Sequence, residues 1–370
     1  MIKQLEISNF RGFEKYHIEN IGRINLLVGV NNCGKTSVLE AIRLLKSKAS
    51  PTDLYAVLDH RGERIRYISE NGKQTEADLC RLFYGHQLNP NNFFSIQGRN
   101  DNQTENIQAT VKEVLHQPDL FNKHPDSTGK CQLNIQQWFK GSEKINYDIP
   151  ISPNGGMRHS FISKFRNKFE DTEITNLKFV PTDSLSPLRV VELFEKIVLT
   201  PEEELVYEAL RIIEPDIMRL ASLGGTQHST IGNLRGHSRG GIFVKSEKWE
   251  QRIPIGSLGD GIWRILGLIL SLVSARNGIL LIDEIDTGLH HTIMSKLWEV
   301  ICQTAEKLNV QVFGTTHSRD CWESLAEIAT HPDYSKTEIR VHRIDRHKSK
   351  SVTFTNEEIN IASDLQIEVR

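Results

Sequence analysis

Residues 29–37 read GVNNCGKTS and lie between the apolar run INLLV and the run VLEAIRLL. A continuous apolar run marks a strand buried on both faces, and the apolar residues spaced three and four apart after the turn predict a helix from about Lys35 to Leu45. Strand, glycine turn and helix in direct succession commit this part of the chain to an α/β body. The spacing Gly29-x4-Gly34-Lys35-Thr36 lets consecutive backbone N–H groups curl around phosphate oxygens at the positive end of the helix. Lys35 would bring a point charge to the outer phosphates, and the Thr36 hydroxyl suits a magnesium ion. The competing reading is an ordinary glycine turn, against which the flanking strand and helix weigh.

A second apolar run, GILLIDE, ends in Asp283 and Glu284. Four apolar residues, Ile279 to Ile282, would carry this strand through the core to the carboxyl edge, where α/β sheets bind ligands. There Asp283 would hold magnesium through water, and Glu284 would polarise an attacking water. Ser257-Leu258-Gly259-Asp260-Gly261 precedes an apolar helix, whose positive end suits a phosphate; a surface turn with a serine cap is the plainer alternative. The strand VFGTTHS ends in His317, placed 34 residues after Asp283, which could hydrogen-bond a phosphate or the water, although histidines are more often satisfied core residues.

Lys plus Arg number 45 and Asp plus Glu 47, so the net charge of 45 − 47 = −2 offers no global field for nucleic acid or anionic membrane. DNA therefore stays a candidate partner through local patches alone. One such patch is GMRHSFISKFRNKF (156–169), with Arg158, Lys164, Arg166 and Lys168 among Phe161, Phe165 and Phe169; another is KTEIRVHRIDRHKSK (336–350). A helix with a solvated basic face explains the first equally well, and a charged edge strand the second. The five cysteines are widely spaced without a CxxC pair, which predicts free thiols in a reducing compartment. MIKQLEISNF lacks a signal-peptide layout and IWRILGLILSLVSA is too short to span a bilayer, so a cytoplasmic protein with no membrane partner is expected.

The order of motifs resembles an ABC-type head among the AAA family P-loop ATPases. Walker A is followed by SLGDG, with Ser257 lying 222 residues after Lys35, and then by Walker B, 26 residues further on. Asp286 stands in the D-loop position and His317 in that of the switch histidine. NFRGF (9–13), GLHH (288–291) and TTHSRDC (315–321) resemble more specifically the RecF/SMC/OLD branch, over roughly residues 1–45 and 177–320. The resemblance implies a P-loop NTPase fold of the α/β class, with a mixed sheet, an antiparallel β portion and a mainly helical insertion. The head would comprise 1–100 and 176–370, and 101–175 would be the inserted segment. It further implies ATP and Mg2+ as ligands and ATP hydrolysis as the activity. Glu284, His317 and Lys35 would be catalytic, and Thr36 and Asp283 would hold the metal. The nucleotide would contact Arg11, Gly29, Asn31, Asn32, Cys33, Gly34, Thr36, Ser37 and Asp286, with Ser257 and Gly259 acting from a second subunit.

Such heads close as a homodimer or higher homo-oligomer around bridging ATP. SLGDG departs from the usual LSGGQ, and Cys33 stands where Gly or Ser is common. The 53 residues after His317 are too few for the Toprim nuclease domain that OLD proteins append, so a separate effector, a Toprim-like nuclease or a toxin, is implied. The expected function is an ATP-driven switch controlling such an effector in antiviral defence. The alternatives are a RecF-like DNA-repair ATPase and an ATP-binding scaffold with negligible turnover.

Overall fold

A computed structural model describes residues 1–370 apart from 70–71, 102, 115–129, 140–144, 163–175, 223–240, 335 and 370. Most of the basic segment around Lys164, Arg166 and Lys168 therefore lies outside the described residues. The chain divides into two compact units, one of Gly22–Val30, Asn176–His342 and Phe354–Arg370, the other of Met1–Ile21, Asn31–Thr175 and Arg343–Thr353.

In the first unit four strands run parallel in the order Leu177–Val180, Ile279–Ile282, Gln311–Thr315 and Ile24–Val28, and Ile339–Arg343 lies beside the last. All of Ile279–Ile282 and of Ile24–Val28 is buried, as expected of strands covered on both faces. Register sets the edge. Ile282 stands opposite both Val180 and Gly314, and Thr315 stands opposite Leu27. The carboxyl ends of these strands thus finish together. Asn25 interrupts the apolar run without cost to it: its amide donates to the carbonyls of Gly22 and Val312, and its Oδ1 accepts from the Gly22 N–H.

Helix Asp260–Ser274 is buried at every residue from Ile262 to Val273, and it packs against helices Pro187–Ile197, Pro201–Ile213 and His291–Lys307. Each buried Leu or Ile here contributes about 1.5–3 kcal/mol. The TPEEE run predicts a capped helix start, and the helix does begin at Pro201. The capping differs in detail: the Thr200 hydroxyl donates to the Ile197 carbonyl, and the Glu203 carboxylate accepts from the Leu199 N–H.

The second unit is built on a six-stranded antiparallel sheet, in the order Phe13–Ile18, Gln4–Phe10, Phe93–Arg99, Thr104–Glu113, Cys131–Phe139 and Ile145–Pro150. A smaller sheet joins Arg64–Ser69, Gly72–Asp78 and Gly156–Arg158. Much of the described part of 101–175 is strand, with helix at 159–162. The physical reason is a two-residue period whose polar half is Asn, Gln and Thr: Ile107, Ala109 and Val111 are buried while their neighbours are not. Helix Lys35–Lys46 lies close on this sheet, since a Cβ on Gly98 would fall 2.5 Å from Leu45 Cδ2.

Candidate functional site

The acidic strand end is assembled by four hydroxyls and one buried arginine. Thr315 Oγ1 donates to Asp283 Oδ1 at 2.7 Å, and Thr182 Oγ1 donates to Asp283 Oδ2 at 3.1 Å. Both carboxylate oxygens are therefore aimed. The same Thr315 hydroxyl accepts the Glu284 N–H at 2.8 Å. Glu284 has φ +46°, a left-handed backbone that costs a side-chain-bearing residue about 1–2 kcal/mol. Thr287 Oγ1 donates to its Oε2 at 3.2 Å, and His317 Nδ1 stands 3.6 Å from its Oε1. Thr316 Oγ1 donates to Asp286 Oδ1 at 2.6 Å. Asp283, Glu284, Asp286 and His317, separated by up to 34 residues in sequence, thus form one cluster.

Arg264, 4% exposed, reaches into this cluster from the helix that follows SLGDG. Its Nη1 donates to the Thr182 carbonyl at 2.7 Å and to Ser184 Oγ at 2.9 Å. Nη2 donates to the carbonyls of Asp283 at 3.3 Å and Glu284 at 2.6 Å. Burial lowers its pKa, opposed by Asp286, Glu284, Asp283 and Asp183, and an arginine still keeps its proton. Sequence reasoning missed this role. The available signal was a lone arginine in an otherwise apolar helix.

Gly29, at φ +146°, follows the strand Ile24–Val28 on the edge shared with Asp283 and His317, and the chain passes through Val30 directly into the glycine turn. In the turn itself, within the other unit, Asn31 and Asn32 are exposed, Asn32 has φ +61°, and Gly34 at φ +106° begins the helix without a side-chain cap. A Cβ on Gly34 would meet Phe13 Cζ at 2.4 Å, so only glycine fits. Cys33 and Lys35 are buried, with Lys35 Nζ 4.0 Å from Cys33 Sγ, and Thr36 is half-buried at the first turn. The Ser37 hydroxyl accepts from Arg61 Nη2 at 3.2 Å.

Arg11 is buried and faces two carboxylates: Nη1 donates to Glu63 Oε1 at 2.9 Å, and Nη2 donates to Glu40 Oε1 at 3.3 Å. Arg61 adds Nε to Glu40 Oε1 at 2.7 Å. Glu40 lies on the helix that Lys35 begins, so these arginines brace that helix. Ser257 is exposed in a short 3-10 turn, and Gly259 has φ +95° with no atom within 4 Å of where a Cβ would stand. The helix it opens at Asp260 has no side-chain cap on its first N–H groups.

A sequence model of the family described as "AAA domain, putative AbiEii toxin, Type IV TA system" matches residues 71–320. Among curated proteins the chain is similar to an "ATP/GTP phosphatase" of Helicobacter pylori, 22% identical over 361 residues and covering 90% of each chain. It is similar to the "Retron Ec83 probable ATPase" of Escherichia coli, 23% identical over 388 residues, covering 86% of this chain and 68% of that one. A "DNA replication and repair protein RecF" of Thermoanaerobacter is 26% identical over 130 residues, which spans 33% of either chain.

Proposed function

The chain belongs to the AAA-domain family described as putative AbiEii toxin, Type IV TA system, a family of P-loop ATPases of the RecF/SMC branch, and we propose that it binds and hydrolyses ATP as a dimeric switch. The observation that carries this reading is the aimed pair Asp283 and Glu284 on the strand edge that Gly29 also ends. Backbone N–H groups of Asn31–Thr36 would take the phosphates, with Lys35 on the outer ones. Magnesium is a hard cation that takes oxygen ligands, and by the chemistry of the two motifs the Thr36 hydroxyl and, through water, the Asp283 carboxylate would supply them. Bound there, magnesium would neutralise charge on the β- and γ-phosphates.

Glu284 would accept a proton from the attacking water, and His317 would orient that water or a phosphate oxygen. Arg11 would serve the nucleotide through the helix it braces. The exposed turn at Ser257 and Gly259, with its uncapped helix start, would engage nucleotide held by a second copy. Two copies would therefore close on ATP and reopen on hydrolysis. The switch would control a separate effector, a nuclease or toxin, in antiviral defence; similarity to a retron ATPase over 86% of this chain and a family named for a toxin–antitoxin system support that setting. The RecF relative supports a DNA-repair reading over only a third of the chain.

The test is phosphate release by the wild type and by Glu284→Gln at saturating Mg-ATP, with sedimentation of both. The reading expects the variant to lose ~100-fold or more in rate and to accumulate as an ATP-bound dimer. Equal rates in the two proteins would remove Glu284 from the chemistry, and a monomer under all conditions would remove the dimeric switch.

A further inference from the structure

The guanidinium of Arg264 connects two features that the sequence separates. Its helix begins at Asp260, directly after the exposed Ser257–Gly259 turn, and Arg264 sits one turn into that helix. Its far end grips the main chain at Asp283 and Glu284, where the backbone turns left-handed. A guanidinium presents its donors in a rigid planar fork, and here the fork spans four acceptors on two segments: Thr182 O and Ser184 Oγ on one side, Asp283 O and Glu284 O on the other. Lysine could keep the charge but not that span.

We propose that Arg264 is a positioning residue which fixes the Glu284 backbone and transmits displacement of the Ser257–Gly261 turn to it, so that engagement of the turn sets the placement of the Glu284 carboxylate. The inference rests on the ATPase reading above for its consequence on turnover, but the positioning itself is a property of the folded chain. The geometry offers one mechanical route. The side chain leaves a helix buried from Ile262 to Val273, and its hydrogen bonds end on the two carbonyls flanking the strained backbone of Glu284. A misplacement of about 1 Å in a reacting group can cost roughly 100-fold in rate, so a small helix shift suffices.

The test compares wild type, Arg264→Lys and Ser184→Ala by amide hydrogen exchange over 279–290 and by steady-state kinetics with Mg-ATP. In Arg264→Lys, exchange at 284–287 is expected to rise ~10-fold or more while helix 291–307 is unchanged. The kcat should fall ~30-fold or more with KM for ATP within about 3-fold, a split that general destabilisation would not produce. Ser184→Ala, which removes one anchor and keeps the arginine, should move both readouts in the same direction by ~2- to 5-fold and serves if the lysine variant folds poorly. Unchanged exchange at 284–287 in both variants would overturn the proposal. So would wild-type kcat in Arg264→Lys, because charge alone would then suffice. A wild type that binds nucleotide without turnover would sink the ATPase reading alone, and the exchange result would still decide the positioning role.

Discussion

His342 sits fully buried on the strand beside Ile24–Val28, with its Nε2 3.2 Å from Asn25 Oδ1. The Asn25 amide group donates to two carbonyls, so its oxygen is the acceptor and the imidazole Nε2 carries the hydrogen. Burial, helped by Arg340, pushes the His342 pKa down to about 3. The ring is thus neutral in the folded chain, whereas in the unfolded chain it takes up a proton near pH 6.5. Between about pH 3 and 6.5 the unfolded state binds the extra proton, so stability rises with pH there and is fully present above that window. A fall from pH 6.5 to 5 spans 1.5 units at about 1.36 kcal/mol each, a loss of about 2 kcal/mol from this one residue.

Urea unfolding followed by the fluorescence of the buried Trp298 and Trp322, which lie in the same unit, reads this directly. His342→Gln keeps a donor toward Asn25 and removes the titration. The wild type should lose about 2 kcal/mol more than the variant between pH 7 and 5, since all other groups cancel in the comparison. Parallel losses in the two proteins would show that His342 does not titrate differently in the folded and unfolded chains.

Thr315→Val preserves shape while removing the hydroxyl that donates to Asp283 and accepts from Glu284 N–H; thermal unfolding should show a loss of about 2–4 kcal/mol, with phosphate release reduced in step. Gly34→Ala should destabilise by about 1–2 kcal/mol from the backbone alone, and more from the Phe13 clash. Adding Phe13→Leu should recover part of that second share, as a double-mutant cycle will measure.

The parts of the fold that sequence exposes are those in which one local rule acts alone. ILLI and INLLV announce buried parallel strands by apolar character, broken in the second only by Asn25, and the helices Lys35–Lys46 and His291–Lys307 carry their own periodicity. Strands Cys131–Phe139 and Ile145–Pro150 were not legible, because Leu133, Ile135 and Ile149 are diluted by Gln, Asn and Asp that the sheet accommodates at its other positions. Two short helices do carry capping signals in the sequence: Ser50 accepts from Asp53 N–H ahead of Pro51–His60, and Thr355 with Glu358 forms a capping box ahead of Asn356–Asp364. At the site, Asp283, Glu284 and His317 were legible as residue types at strand ends. Thr182, Thr315 and Arg264 were not, because what they do depends on strand order and register.

The claim beneath all of this is that the glycine turn grips a triphosphate through Lys35. Equilibrium titration of Mg-ATP against wild type and Lys35→Ala tests it most directly. The wild type is expected to bind below about 1 mM and the variant to weaken by ~30-fold or more with its melting temperature retained. A wild type that takes up no Mg-ATP, or a variant that binds it equally well, would mean that the turn does not hold a triphosphate through Lys35.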